Sequence, residues 1–468
     1  MTNLTCDVAI IGAGTAGLAA ERSARRNGAK TLLIDEGFGG TTCASVGCMP
    51  SKLLIAAGNA MHAVNQAKVF GVEASAKVDG VAVMARVRKE RDAFVAGVEK
   101  SIDKLPDEVK IEARAKFAGA TILALSDGRQ VHAKSVVIAT GSSPAIPDMF
   151  DAVRDRVLTN ESIFELEDLP GSIGVVGAGA LGLELAQAMA RLGVETMVFD
   201  MGETIGGLKD PHVAEAYHAI LSREMPILLG VELKAEPQGD GVALSWTGSE
   251  SGSKRFDYLL VATGRPPRIK DIGLETTGLA LDDHGMPDYD PDTMQCGSAP
   301  IFIAGDADHD RAVLHEASAE GMIAGRNAAS YPEVTPGKRS VPFAITFTHP
   351  NVAVIGKIAK DDDTDSVIGT ASYDDQGRAK MFATNAGCVK IEADAKGTLL
   401  AAQMVGPAVE HTAHLLAWAI QQGLTADVLL KMPFYHPTYE EGLQPALRAI
   451  CDAVDTDYAY HDGSVPGS

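Results

Sequence analysis

"CDVAIIGAGTAGLAAERSARRNGAKTLLID", residues 6–35, decides the fold. An apolar run, a glycine turn, a helix-period stretch and a second apolar run ending at Asp35 read as strand, turn, helix and strand, a βαβ unit. Residues 171–200, "GSIGVVGAGALGLELAQAMARLGVETMVFD", repeat that reading roughly 165 residues later. A doubled unit at this distance marks a duplicated nucleotide-binding fold, not a short-period solenoid. In the first copy Gly12 permits the tight turn, Gly14 lets the backbone reach a pyrophosphate, and Gly17 lets helix and strand pack closely. The diphosphate then lies on the helix N-terminus, and Asp35 is placed for a ribose hydroxyl. Gly177, Gly179, Gly182 and Asp200 hold the matching positions in the second copy. An acid at 200 repels a 2′-phosphate and no Arg follows in "DMGETIGG", so NAD is expected there rather than NADP.

Composition agrees with this fold class and removes others. A chain of 468 residues exceeds the roughly 250 to 300 at which single cores stop growing, so several domains are expected. With 48 glycines and 5% aromatics, the chain suits an α/β protein whose turns approach ligands closely. The net charge of −21 repels nucleic acid and anionic membranes, which sets both aside as partners. No apolar run reaches the ~18 residues of a membrane span, and "MTNLTCDVAIIGAG" shows neither a basic region nor a cleavage site. A cytoplasmic setting is therefore expected. Six cysteines are too few for a disulfide scaffold in so long a chain.

Between and after the two units, "SVVIAT" (135–140), "DYLLVATG" (257–264) and "APIFIAGD" (299–306) are apolar runs stopping at Gly, Thr or Asp, the strand ends where ligands sit. From about residue 341 the texture changes. "VPFAITFTHPNVAVIGKIA" and "GCVKIEADAKGTLLAAQMVGP" read as alternating strands and "EHTAHLLAWAIQQG" as a helix, a third, α+β module. A short polar tail, "HDGSVPGS", closes the chain.

"GGTTCASVGCMPSK", residues 39–52, sets Cys43 and Cys48 with four residues between them. Zinc would need a second short pair of ligands, and none stands nearby, so no metal is expected. A structural disulfide is disfavoured in a reducing compartment, which leaves inert thiols or a working redox couple. Context favours the couple. The pair follows the first βαβ unit directly, and "GCMPSKLLIAAGNAMHAV" reads as a helix starting beside it, whose N-terminal dipole and Lys52 favour a thiolate. A dinucleotide with a redox ring beside such a pair makes an electron relay.

Over essentially its whole length the chain resembles the class I pyridine nucleotide-disulfide oxidoreductases, and within them most closely the dihydrolipoamide dehydrogenases. The resemblance rests on "GAGTAG" with Asp35, "CASVGCMPSK", "ATGS" (139–142), "GAGALGLE" (177–184), "ATGR" (262–265), "IAGDA" (303–307) and "HPTYEE" (436–441), seven motifs in order. It implies two Rossmann-like domains, one for FAD on the first glycine motif (1–148 with 271–340) and one for NAD on the second (149–270). A C-terminal α+β module (341–468) would make an antiparallel homodimer. Thr140, Gly141, Ser142 and Gly264 fall in the family's cofactor motifs, and Asp306 would hold the flavin's ribityl or pyrophosphate region. Cys48 would be the thiol against the flavin and Cys43 the interchange thiol facing substrate. Lys52 and Glu184 match the family's ion pair near flavin N5. His436 matches the general base and Glu441 the carboxylate that orients it, the His serving the other subunit's site. The implied activity is NAD-linked oxidation of dihydrolipoyl groups, free or on a carrier protein; the alternative is NAD(P)H-dependent reduction of another disulfide.

Some positions depart from the family pattern. "GTTC" replaces GGTC before the first redox cysteine, and the loop from Asp35 to Cys43 is short. Phe434 stands where the usual HxHPTxxE has its first His, which alters the substrate mouth. The absence of vicinal cysteines at the C-terminal end argues against mercuric reductase and the larger thioredoxin reductases, and Asp200 argues against the NADPH-linked glutathione and trypanothione reductases. Cys6, Cys296, Cys388 and Cys451 read as small packing residues. His315, His349 and His411 lack a carboxylate at catalytic spacing, and Trp418 in "LLAWAI" reads as a buried helical face.

Overall fold

The computed structural model describes residues 3–358 and 366–458; the tail "HDGSVPGS" lies outside them. The chain forms two compact units, one of Met1–Pro50, Arg88–Ala145 and Gly264–Ser340, the other of Ser51–Val87, Ile146–Thr263 and Val341–Ser468.

In the first unit a five-stranded parallel sheet runs in the order Ile301–Ile303, Ser135–Ile138, Val8–Ile11, Thr31–Asp35, Lys110–Glu112. Its inner strands are apolar without alternation because both faces are covered, and Val8, Ala9, Ile10 and Ile11 are all buried, while the edge strand Lys110–Glu112 buries only Ile111. The helix Thr15–Arg26 lies close against Leu314–Ser330. Small residues make that approach possible: a Cβ on Gly321 would sit 2.2 Å from the Ala16 carbonyl oxygen, and one on Gly325 2.2 Å from that of Ala20. A second sheet, Asn3–Thr5, Gln130–His132, Ile122–Leu125 and Ala115–Gly119, completes the unit.

The second unit repeats the parallel sheet as Ile227–Leu228, Glu195–Phe199, Ser172–Val176, Tyr258–Val261, Val157–Leu158. An antiparallel three-stranded sheet, Val231–Gln238, Gly241–Gly248 and Gly252–Phe256, follows in the chain. Beyond residue 341, five antiparallel strands are ordered Phe343–Thr346, Asn351–Gly356, Leu399–Gly406, Cys388–Ala393, Val367–Ser372. The helices Val409–Gln421 and Gln444–Ala453 cover them through Ala413, Leu416, Leu447 and Ile450. This is the α/β, two-Rossmann plus α+β class read from the sequence.

One side-chain expectation fails. Trp418 is 64% exposed. The buried stripe of its helix is Val409, Thr412, Ala413, Leu416, Ala417 and Ala419, and a residue two places beyond Leu416 is turned well away from it. No helix among the described residues is long and apolar enough to cross a membrane.

Candidate active site

Each glycine turn is built by its parallel sheet. Gly12 has φ +102°, and a Cβ there would meet the Ala139 carbonyl oxygen at 2.3 Å; Gly177 has φ +111° and would meet that of Ala262 at 2.5 Å. No L side chain fits either position. Gly17 and Gly182 back onto the carbonyls of Gly12 and Gly177, where a Cβ would lie at 1.8 and 2.1 Å. By contrast, a Cβ on Gly14, Gly179 or Gly264 would meet nothing within 4 Å. Gly14 and Gly179 are also the N-caps of Thr15–Arg26 and Ala180–Arg191 and give them no side-chain cap, so first-turn N–H groups are left for an anion.

The two acids do more than the sequence indicated. Asp35 Oδ2 accepts the Ala13 N–H at 2.8 Å, and its Oδ1 accepts those of Gly37 and Phe38 at 3.1 and 3.0 Å. Asp200 does the same with Ala178 at 2.6 Å and Gly202 at 2.7 Å. Each carboxylate therefore pins the turn it follows and keeps lone pairs for a ribose hydroxyl.

The first unit brings "ATGS" and "IAGDA" together. Ser142 Oγ donates to Asp306 Oδ2 at 2.7 Å, while Arg265 donates to the Ser142 hydroxyl at 3.2 Å and to its carbonyl at 2.9 Å. Thr140 Oγ1 is buried with no hydrogen-bond partner among the described residues, the state expected of a group waiting for a ligand. This orphan and the open face at Gly14 fit a dinucleotide. Behind Asp306, the fully buried Glu320 accepts the Gly305 N–H at 2.8 Å and pairs with Arg339. Burial, and then the charge of Asp308, push the Glu320 carboxyl up to about 8. Nothing in the sequence motifs singled out Glu320 or Arg339, and Arg265 stood unremarked inside "ATGR".

Cys43 lies in the helical turn Thr42–Ser45, capped by Thr41, and Cys48 opens the helix Cys48–Gln66. Gly47 lets the chain fold back between them: a Cβ there would be 2.9 Å from the Thr42 carbonyl oxygen and 3.3 Å from Cys43 Cα. Cys43 is half-buried and Cys48 exposed. In the second unit Lys52 Nζ meets Glu184 Oε2 at 2.6 Å and lies 4.6 Å from the centre of the Phe347 ring, while Glu184 Oε1 accepts the Phe347 N–H at 2.7 Å. Glu184, at 4% side-chain exposure, is thus a satisfied buried carboxylate. His436 Nδ1 is 3.0 Å from Glu441 Oε1, and Glu441 Oε2 accepts the Thr438 N–H at 2.8 Å. Phe434, at the departing position, packs against the core of the C-terminal sheet.

A cavity of about 760 Å³ in the second unit is lined by Asn59, His62, Arg191, Glu224, His349 and Tyr439 among others. Arg191 binds Glu224 at 2.6 and 2.7 Å and the His349 carbonyl at 2.9 Å. Burial, then the charges of Arg191 and His62, lower His349 to about 4. An unfolded His titrates near 6.5, so as pH falls from 6.5 toward 4 the unfolded chain takes this proton first and folding weakens. The expected loss is roughly 2 kcal/mol by pH 4.5. In His349→Gln it is absent, as denaturant midpoints at pH 7 and 4.5 would report.

Comparison with known proteins agrees with this architecture. The Pyridine nucleotide-disulphide oxidoreductase family matches residues 6–321, and its dimerisation domain matches 342–447. Dihydrolipoyl dehydrogenase of Halobacterium salinarum is 30% identical, covering 96% of this chain and 97% of its own. Dihydrolipoyl dehydrogenase 3 of Pseudomonas aeruginosa is 32% identical, covering 94% and 97%. Among solved structures, the Cu(II) complex of the HOCl-induced flavoprotein disulfide reductase RclA from Escherichia coli superposes with a TM-score of 0.80 at 20% identity, covering 96% of this chain and 99% of that one. With one family profile spanning both glycine turns and the cysteine pair, and another spanning the C-terminal sheet, the chain belongs to the pyridine nucleotide-disulphide oxidoreductases and is an FAD- and NAD(P)-binding oxidoreductase.

Proposed function

We propose that the enzyme oxidises dihydrolipoyl dithiols with NAD, through a disulfide formed between Cys43 and Cys48. The observation that carries this reading is the cysteine pair folded back on itself at a helix start, in the same unit as the Gly12 turn and the Ser142–Asp306 pair. Full-length likeness to dihydrolipoyl dehydrogenases supports the substrate class.

Gly12, Gly14, Gly17, Asp35, Thr140, Gly141, Ser142 and Asp306 hold FAD, within a domain of residues 1–148 and 271–340. Gly177, Gly179, Gly182, Asp200 and Gly264 hold NAD, within 149–270. When bound, FAD supplies a two-electron acceptor between the cysteine pair and NAD. A substrate thiolate attacks the Cys43 sulfur, breaking the Cys43–Cys48 bond; the second substrate thiol displaces Cys43 and leaves as the cyclic disulfide. Reoxidation of the pair passes two electrons on, so the balance is dithiol plus NAD⁺ giving disulfide, NADH and one proton. His436 takes the thiol proton at Nε2, since Glu441 holds the Nδ1 side. The module 341–468 makes a homodimer in which His436 serves the partner's cysteines, supported by the dimerisation-domain match. Lys52, held by Glu184, provides a fixed positive charge near the redox centre. A cytoplasmic setting suits a pair that must cycle between thiol and disulfide.

Phe434 keeps a second reading in view, NADH-driven reduction of another disulfide by the same parts, with direction set by redox poise. Anaerobic addition of dihydrolipoamide to the holoenzyme is expected to produce a long-wavelength absorption band and, with NAD, stoichiometric NADH. No band with any dithiol would sink the relay. A band, but turnover only with another disulfide and NADH, would select the second reading.

A further inference from the structure

We propose that Gln376 is a positioning residue for His436, holding the loop that carries the His436–Glu441 pair through a hydrogen bond to the Thr438 carbonyl. The inference rests on the reading of His436 as the base and adds to it the residue that sets its geometry.

Gln376 joins two structures. Its Oε1 accepts the Ala379 N–H at 2.7 Å, capping the short helix Gly377–Met381, and its Nε2 donates to the Thr438 carbonyl at 2.6 Å. One partner is a donor and the other an acceptor, so the amide has a single orientation that satisfies both. Thr438 then passes the constraint on. Its N–H donates to Glu441 Oε2, and Glu441 Oε1 faces His436 Nδ1. A second bond, from Thr438 Oγ1 to the Tyr435 carbonyl at 2.7 Å, closes the loop upon itself. Four residues thus form one chain of contacts, Gln376 to Thr438 to Glu441 to His436.

The anchor at the far end is firm while the working end is not. The Gln376 N–H donates to the carbonyl of Tyr373, which is 1% exposed. Gly442 lies against both: a Cβ there would be 2.9 Å from Tyr373 Cε1 and 3.5 Å from Gln376 Cγ. By contrast the His436 side chain is 56% exposed and Tyr435 is 82% exposed. An imidazole on an exposed loop keeps its direction only as well as the loop is tied down, and small misplacements of a reacting group are costly in rate.

Gln376→Glu separates positioning from helix capping. The carboxylate can still accept the Ala379 N–H but has nothing to donate to the Thr438 carbonyl, and it sets oxygen against oxygen. Expected in the holoenzyme are a fall of about 10-fold in kcat for dihydrolipoamide, with KM changed less than about twofold. The acid limb of the kcat profile moves to lower pH, because Glu441 supports the imidazolium less well. NADH-driven reduction of ferricyanide, which needs no thiol base, stays at the wild-type rate. Gln376→Met, which keeps the stem against Gly442 and loses both polar bonds, repeats the kcat effect if Gln376→Glu folds poorly. Wild-type kcat and pH profile in either folded variant overturn the proposal. An unimpaired His436→Gln would instead remove the reading beneath it, so the two failures are distinguishable.

Discussion

Cys43→Ser and Cys48→Ser are each expected to lower NAD-linked oxidation of dihydrolipoamide on the order of 10³-fold or more, since a hydroxyl can form no disulfide and the electron route has no bypass. The loss is chemical, not structural. Serine matches the cysteine in shape, Cys43 is half-buried and Cys48 exposed, and the turn between them is set by Gly47. Both variants therefore retain flavin and fold. Reduction of ferricyanide by NADH is expected to persist, because on the proposed reading it needs only the flavin and nicotinamide sites and not the sulfurs. The pair should also differ from each other: in Cys43→Ser the remaining Cys48 thiolate gives a long-wavelength band without added dithiol, while Cys48→Ser gives none. Dithiol turnover above a tenth of wild type in either variant, with flavin content unchanged, would refute the relay.

What the sequence disclosed and what it hid follow from how local each constraint is. Gly12 and Gly177 were legible because a turn at positive φ against the next strand leaves one residue type. Asp35 and Asp200 were legible by position, yet their grip on the N–H groups of Ala13 and Ala178 was not, since a side chain that folds back on the preceding turn leaves no periodic trace. Lys52 and Glu184 stand 132 residues apart, and only the resemblance paired them. Gln376 lay in a stretch with no motif at all; its partner Thr438 is 62 residues away, and a single amide bridging two loops has no local pattern. Trp418 was misread because a helix with apolar residues at 415, 416, 417, 418 and 419 offers several stripes, and only the strands beneath choose among them.

His436→Gln is expected to cut kcat for dihydrolipoamide 10²- to 10³-fold at neutral pH. A thiol with an ordinary pKa near 8.5 is mostly protonated there, so its attack needs a base within reach to take the proton. Glutamine keeps the size and can still donate an N–H toward Glu441 Oε1, so the loop retains the contact now made by Nδ1 at 3.0 Å. What it lacks is a titrating nitrogen on the outward side. Two further results tie the loss to that nitrogen. As pH rises past the thiol's own range, solvent removes the proton unaided, and the gap between variant and wild type narrows; measured from pH 6.5 to 9.5, the ratio should shrink at least about tenfold. Glu441→Gln keeps the imidazole but weakens its orientation, and at neutral pH should cost about tenfold, less than His436→Gln there. A deficit independent of pH, or the reverse order of the two variants, would mean that this loop shapes the substrate mouth and the proton goes elsewhere.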